Sequence, residues 1–171
     1  MVAISMTRRA ALTALGAAAF FPVFAPHGAA AYAGVRFSGI RVDVAPVRAT
    51  MGDPTAAWME QALAQALAQK LSSYLAPGDR SAGVLEARID YIYLGPSSGG
   101  TGPAGASQDT VAGTLIVQGP RGGIVSETPL RAIAFYYPSA PDQAMVEQAY
   151  YWRVVALAQA FAGWAPRELG L

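Results

Sequence analysis

Apolar and polar positions alternate with a period of two over 35–44, where Ile40, Val42 and Val44 are interleaved with Arg41 and Asp43. That spacing predicts a half-buried first strand. Val35 and Phe37 fall in the opposite phase, so Gly39 is expected to mark a bulge that switches faces. From residue 54 the period changes. Met59, Leu63, Leu67, Leu71 and Leu75 recur every four residues, with Gln61, Gln65 and Gln69 on the other side. This predicts an amphipathic helix over 54–76, capped by Asp53, with Pro54 at its first position and Pro77-Gly78 at its end. Over 83–94, Leu85, Ala87, Ile89, Tyr91 and Tyr93 alternate with Glu86, Arg88 and Asp90, a strand with one face dry and one wet.

A Gly/Pro/Ser-rich loop is expected over 95–107, then a strand over 109–118 with Val111, Leu115 and Val117 on its apolar face. Gly119 to Gly123 reads as a hairpin turn into a fourth strand at 124–136, whose Pro129 suits an edge or a bulge. A last helix is expected from Ser139, with Asp142 completing a cap, to Ala165, where Pro166 stops it. Its apolar stripe reads Val146, Tyr150, Val154, Leu157, Phe161 and Trp164. The order β-α-β-β-β-α predicts an α+β two-layer sandwich: a mainly antiparallel four-stranded sheet with two long helices on one face. The first helix is placed to connect two parallel strands by a crossover.

The N-terminus obeys a different grammar. Arg8 and Arg9 precede an uncharged apolar run, Ala10–Ala25, and small residues gather at 28–33. Positive region, apolar run and small-residue site make up a cleavable export signal, with the best cut after Ala31-Tyr32-Ala33. A membrane anchor needs about 20 apolar residues, and Pro22 and Pro26 interrupt this run. The Arg8-Arg9 pair resembles a twin-arginine signal, although Ala10-Ala11-Leu12 departs from the residues usual after such a pair, and the general secretory route stands beside it. The expected organisation is therefore a signal at 1–33 and a single domain at 34–171, periplasmic or secreted, with no membrane span once the signal is removed.

Processing changes the chemistry on offer. The only histidine, His27, leaves with the signal, and the chain has no cysteine. The domain then lacks the residues for Ser-His-Asp or Cys-His catalysis and for the usual zinc, copper and haem ligand sets. No cofactor and no metal site are expected. Arg8 and Arg9 also leave, whereas all eleven acidic residues remain, so ten positive charges face eleven negative ones, net −1. Nucleic-acid binding demands a basic footprint and is excluded on that balance.

The remaining candidates are few. Glu86 and Asp90 share a strand face, and Asp43 and Asp109 are placed to neighbour them across the sheet. Four strand residues span about 13 Å, too far for a retaining glycosidase pair, so solvated charges alternating with Arg41 and Arg88 are the simpler assignment. The 95–107 loop lacks the lysine and following helix of a phosphate-binding P-loop. Lys70, the one lysine, sits among Gln and Ser on the first long helix, where an ordinary amine is expected. Tyr91, Tyr93, Phe135, Tyr136, Tyr137, Tyr150, Tyr151 and Trp152 are expected to gather at one end of the sandwich. Core or boundary packing accounts for most of them. Trp58, Tyr93, Tyr137, Tyr151 and Trp152 are the candidates for a partner surface, because tyrosine and tryptophan join an apolar body to a polar tip.

An exported chain with a short strand reading Val42-Asp43-Val44-Ala45-Pro46, a long helix, three strands and a final helix resembles small periplasmic domains. These are the type found in ABC-transport auxiliary lipoproteins and the N-terminal domain of the Tol-Pal β-propeller protein. The lipid-bearing cysteine of the auxiliary proteins is missing here. The resemblance implies a non-enzymatic envelope role, a binding or assembly module with an envelope protein as partner. Two other functions are weighed against it. One is a carboxylate-dependent hydrolase acting on envelope glycans, which needs converging acids. The other is a small apolar-ligand carrier, which needs an enclosed cavity that the alanine-rich helices disfavour.

Overall fold

The computed structural model describes residues 35–96, 107–136 and 146–171. The export signal, most of the 95–107 loop, Tyr137 and the Ser139 cap lie outside the described residues. The elements run β1 (Phe37–Asp43), α1 (Ala45–Met51), α2 (Thr55–Lys70), β2 (Gly83–Tyr93), β3 (Ser107–Gln118), β4 (Ile124–Tyr136) and α3 (Val146–Glu168). The sheet order is β1-β2-β3-β4, with β1 parallel to β2 and the other pairs antiparallel. The expected α+β sandwich is thus the observed one, including the crossover between parallel strands and an edge position for the strand that carries Pro129.

The core lies between sheet and helices. Leu85, Ala87 and Ile89 of β2 and Val111, Leu115 and Val117 of β3 meet Met59, Leu63 and Leu67 of α2 and Val154, Leu157 and Phe161 of α3. In α2, in β3 and in β2 as far as Ile89, the hydrophobic period therefore selects the inner face.

Several local expectations are corrected. Among the described residues there are three α-helices rather than two: β1 stops at Asp43, and Ala45–Met51 is helical, so Val44-Ala45-Pro46 does not continue the strand. The Asp43 carboxylate accepts the Ala45 N–H at 2.9 Å, and Pro46 suits the first helical turn. Asp53 does not cap α2. Its carboxylate faces Arg48 at 3.3 Å, and Pro54 occupies the N-cap position. Regular α-helix ends at Lys70, with a 3₁₀ turn over Ser72–Tyr74, and Leu75 leaves the stripe to bridge to Phe37. Pro166 does not end α3, which continues to Glu168. A proline in the last turn forfeits only a bond close to the helix end.

Two corrections change which side chains face outward. In β2 the register shifts between Ile89 and Tyr91, so Ile92 takes the buried place and Tyr91 and Tyr93 are exposed. Such a bulge inserts one unpaired residue and reverses the phase beyond it. In α3 the buried face is Arg153, Val154, Leu157, Ala158, Phe161, Ala162 and Ala165, whereas Val146, Tyr150 and Trp164 are exposed. The helix keeps Val154, Leu157 and Phe161 inside but is rotated away from Tyr150 and Trp164, and small alanines face inward in their place, which allows close approach to its neighbours. Among the described residues, no helix is long and apolar enough to cross a membrane.

Candidate functional site

Three of the five candidate aromatics meet on the outer surface of the helical layer. Trp58 rises from the first turn of α2, and Tyr151 and Trp152 from the start of α3. The Trp58 and Tyr151 rings pack edge to face with centroids 5.7 Å apart, and Tyr151 meets Trp152 in the same manner at 5.1 Å. Edge-to-face pairs at this separation contribute about 0.5–1.5 kcal/mol beyond area burial. Trp58 is half-buried and packs on the core, so it anchors the cluster from below. Trp152 is 54 % exposed.

A shallow groove of about 160 Å³ runs from Trp58 and Tyr151 between the two helices, past Gln61, Gln65, Gln69 and Gln159. No charged residue lines it. The site therefore offers aromatic surface and neutral amides, each amide both donor and acceptor. Nothing in it resembles a general acid, a nucleophile or a metal cradle. Among the described residues no group of three or more potential ligands is placed to hold a metal ion.

Tyr93 is not part of this cluster. It is exposed near the end of β2, opposite Thr110 of β3, which in turn pairs with Ile133 of β4. The aromatics expected to gather at one end are thus divided: Tyr91 and Tyr93 of β2 line one surface cavity with Tyr150 of α3, whereas Tyr151 and Trp152 join Trp58 on the helical layer. Tyr137 lies outside the described residues.

The four candidate carboxylates do not converge. Asp109 points to the helix side and is buried. Asp90 pairs with Arg88 at 2.9 Å, Glu86 accepts a hydrogen bond from Gln118 at 2.8 Å, and Asp43 serves the start of α1. Elsewhere the Asp79 carboxyl is held below the usual carboxylate range, chiefly by the Ser81 hydroxyl at 2.6 Å and also by the Ser81 N–H at 2.8 Å. A lowered folded value favours the folded chain above the ordinary carboxylate pKa. That contribution fades as pH falls through the lowered value.

Sequence reasoning missed the most distinctive polar feature. Asp109 and Arg153 form a buried ion pair, 1 % and 6 % exposed. Arg153 Nε donates to Asp109 Oδ2 at 2.9 Å, and Nη2 donates to Asp109 Oδ1 and to the Gly95 carbonyl. Gly95 N–H donates to the same carboxylate at 3.0 Å. A side chain at Gly95 would place its Cβ 2.6 Å from the Gln108 carbonyl oxygen, so only glycine fits there. The three residues tie α3 to the strand ends that flank the glycine-rich loop. Two signals pointed to them: Asp109 has the parity of Val111, Leu115 and Val117, and Arg153 adjoins the α3 stripe at Val154.

No protein-family model matches the chain, and no curated protein sequence does. Among solved structures, the chain is similar to a minor lipoprotein from Acinetobacter baumannii, with a TM-score of 0.48 and 14 % identity over 80 % of this chain and 92 % of that one. It is also similar to rare lipoprotein B from Shewanella oneidensis, with a TM-score of 0.42 and 10 % identity over 75 % and 91 %.

Proposed function

We propose that this protein is an exported, non-enzymatic binding module that contacts another component of the cell envelope. The contact is made through the Trp58–Tyr151–Trp152 cluster. The observation that carries this is the cluster itself: a row of three aromatic rings in which Tyr151 touches both Trp58 and Trp152, anchored on the core at Trp58 and open to solvent at Trp152. Tryptophan and tyrosine are the residue types in which interface binding energy concentrates. The N-terminal signal supplies the address, and the near-neutral charge of the processed domain suits a contact made by aromatic and amide groups rather than by steering charge.

Site-specific photo-cross-linking in the native host tests it. A cross-linker at position 152 is expected to yield a discrete adduct with an envelope component, and a cross-linker at Arg121, in the distant hairpin turn, is expected not to. Tyr151→Ala with Trp58→Ala should reduce the adduct more than tenfold, as removal of central aromatic anchors does. No adduct at 152 beyond the Arg121 control refutes the assignment.

A further inference from the structure

Glutamine recurs at every fourth position of α2, at 61, 65 and 69. Four residues advance a helix by about 6 Å and return nearly to the same face. The three amides therefore form a row about 12 Å long, and all three line the groove between α2 and α3. Gln159 of α3 lines it as well, and Trp58 and Tyr151 form its aromatic end. All four amides are exposed, and among the described residues no side-chain hydrogen bond engages them. Ala62, Ala66 and Val155 lie beneath them, buried or half-buried.

An ordinary solvated helix face is composed differently. It carries acids and bases paired four residues apart. The charged residues of α2 are Glu60 and Lys70 alone. Neither lines the groove, and Glu60 is held by Arg48 at 3.2 Å. On the facing stretch of α3, Arg153 is turned inward to Asp109.

We propose that the groove binds a linear oligosaccharide of uncharged sugars, so that the envelope component met by the Trp58–Tyr151–Trp152 cluster is a neutral glycan. The assignment rests on that cluster being a binding surface. A pyranose ring has an apolar C–H face and a rim of hydroxyl groups. The face stacks on an aromatic ring, and the hydroxyls pair with amides, which likewise both donate and accept. An anionic ligand, such as a phosphate headgroup, a uronic acid or an acidic peptide, would call for a cation, and none lines the groove. A protein partner would seat large apolar anchors in a desolvated pocket, whereas this groove offers alanine and valine beneath a polar rim. The ligand is a chain rather than a single sugar, because the amide row continues for two helical turns beyond the aromatic end. No carboxylate lines the groove, so the sugar is bound and not cleaved.

Calorimetric titration of the purified protein with chitotetraose, cellotetraose and tetragalacturonate tests the proposal. At least one of the two neutral sugars is expected to bind saturably, with a dissociation constant on the order of 1 mM or tighter. The anionic sugar should bind roughly tenfold more weakly or not at all. Preference for chitotetraose identifies an N-acetylated glycan as the source, and preference for cellotetraose a plain glucan. Tyr151→Ala should weaken the preferred sugar by about tenfold or more. Gln65→Leu with Gln159→Leu should weaken it by about tenfold, since each amide hydrogen bond is worth a factor of several. These positions are exposed, and unchanged circular dichroism and melting temperature identify folded variants. The proposal is overturned if neither neutral sugar saturates, if the anionic sugar binds as tightly, if the double glutamine variant binds normally, or if the sugar is recovered cleaved. A protein cross-linked at position 152 together with no sugar binding overturns the glycan assignment and leaves the cluster a protein-binding surface.

Discussion

Among individual residues, the Asp109–Arg153–Gly95 arrangement is the point at which charge overrides pattern. A buried ion pair is not by itself a gain in stability, since desolvation offsets the attraction, but removing one partner strands the other charge. Arg153→Met and Asp109→Leu are each expected to destabilise the fold by about 3–5 kcal/mol. The double variant should lose less than the sum, with a coupling of about 1–3 kcal/mol. Urea unfolding of the four proteins measures this, and strict additivity would show that the two side chains do not act as a pair. Periodicity could not single out Asp109, because an acidic residue in a buried register scores as a fault in the pattern until its partner is known. Trp58, Tyr151 and Trp152 were legible as candidates by type. Their contact was not, since residues 58 and 151 are far apart in sequence and meet only because α2 and α3 pack side by side.

Within the elements, the informative disagreement is the face that α3 buries. The expected stripe runs through Val146, Tyr150, Val154, Leu157, Phe161 and Trp164, but the observed inner face keeps only Val154, Leu157 and Phe161 of these and completes itself with Ala158, Ala162 and Ala165. Close helix packing limits side-chain size at the alanine positions, so volume as well as hydrophobicity selects the face. Differential scanning calorimetry on two variants separates the alternatives. Ala162→Leu should destabilise by about 1–3 kcal/mol through overpacking. Trp164→Ala should change stability by no more than about 1 kcal/mol, the worth of an exposed cation–π contact such as Trp164 makes with Arg167 at 5.2 Å. A loss of about 3–5 kcal/mol for Trp164→Ala, the cost for a packed aromatic, would place Trp164 in the core. The strands were read more faithfully than the helices, because a period of two leaves only two faces to choose between. Where β2 departed from expectation, a single bulged residue at Asp90 reversed the phase and turned Tyr91 and Tyr93 outward.

In the molecule as a whole, export and fold are separate inferences with separate tests. A C-terminally tagged full chain is expected to mature by loss of the first 33 residues and to leave the cytoplasm, as N-terminal sequencing and cell fractionation would register. Recovery of the unprocessed chain in the cytoplasm contradicts this. The sequence by itself determined the order of the four strands and the two long helices, and the inner face of β3 and of α2. All of these follow from local spacing and residue type, which tertiary contacts need not inform. Tertiary structure alone decided the rotation of α3, the burial of Arg153 against Asp109, and the meeting of Trp58 with Tyr151. Each depends on how closely two distant segments approach, and that distance is set by the volumes of side chains on both.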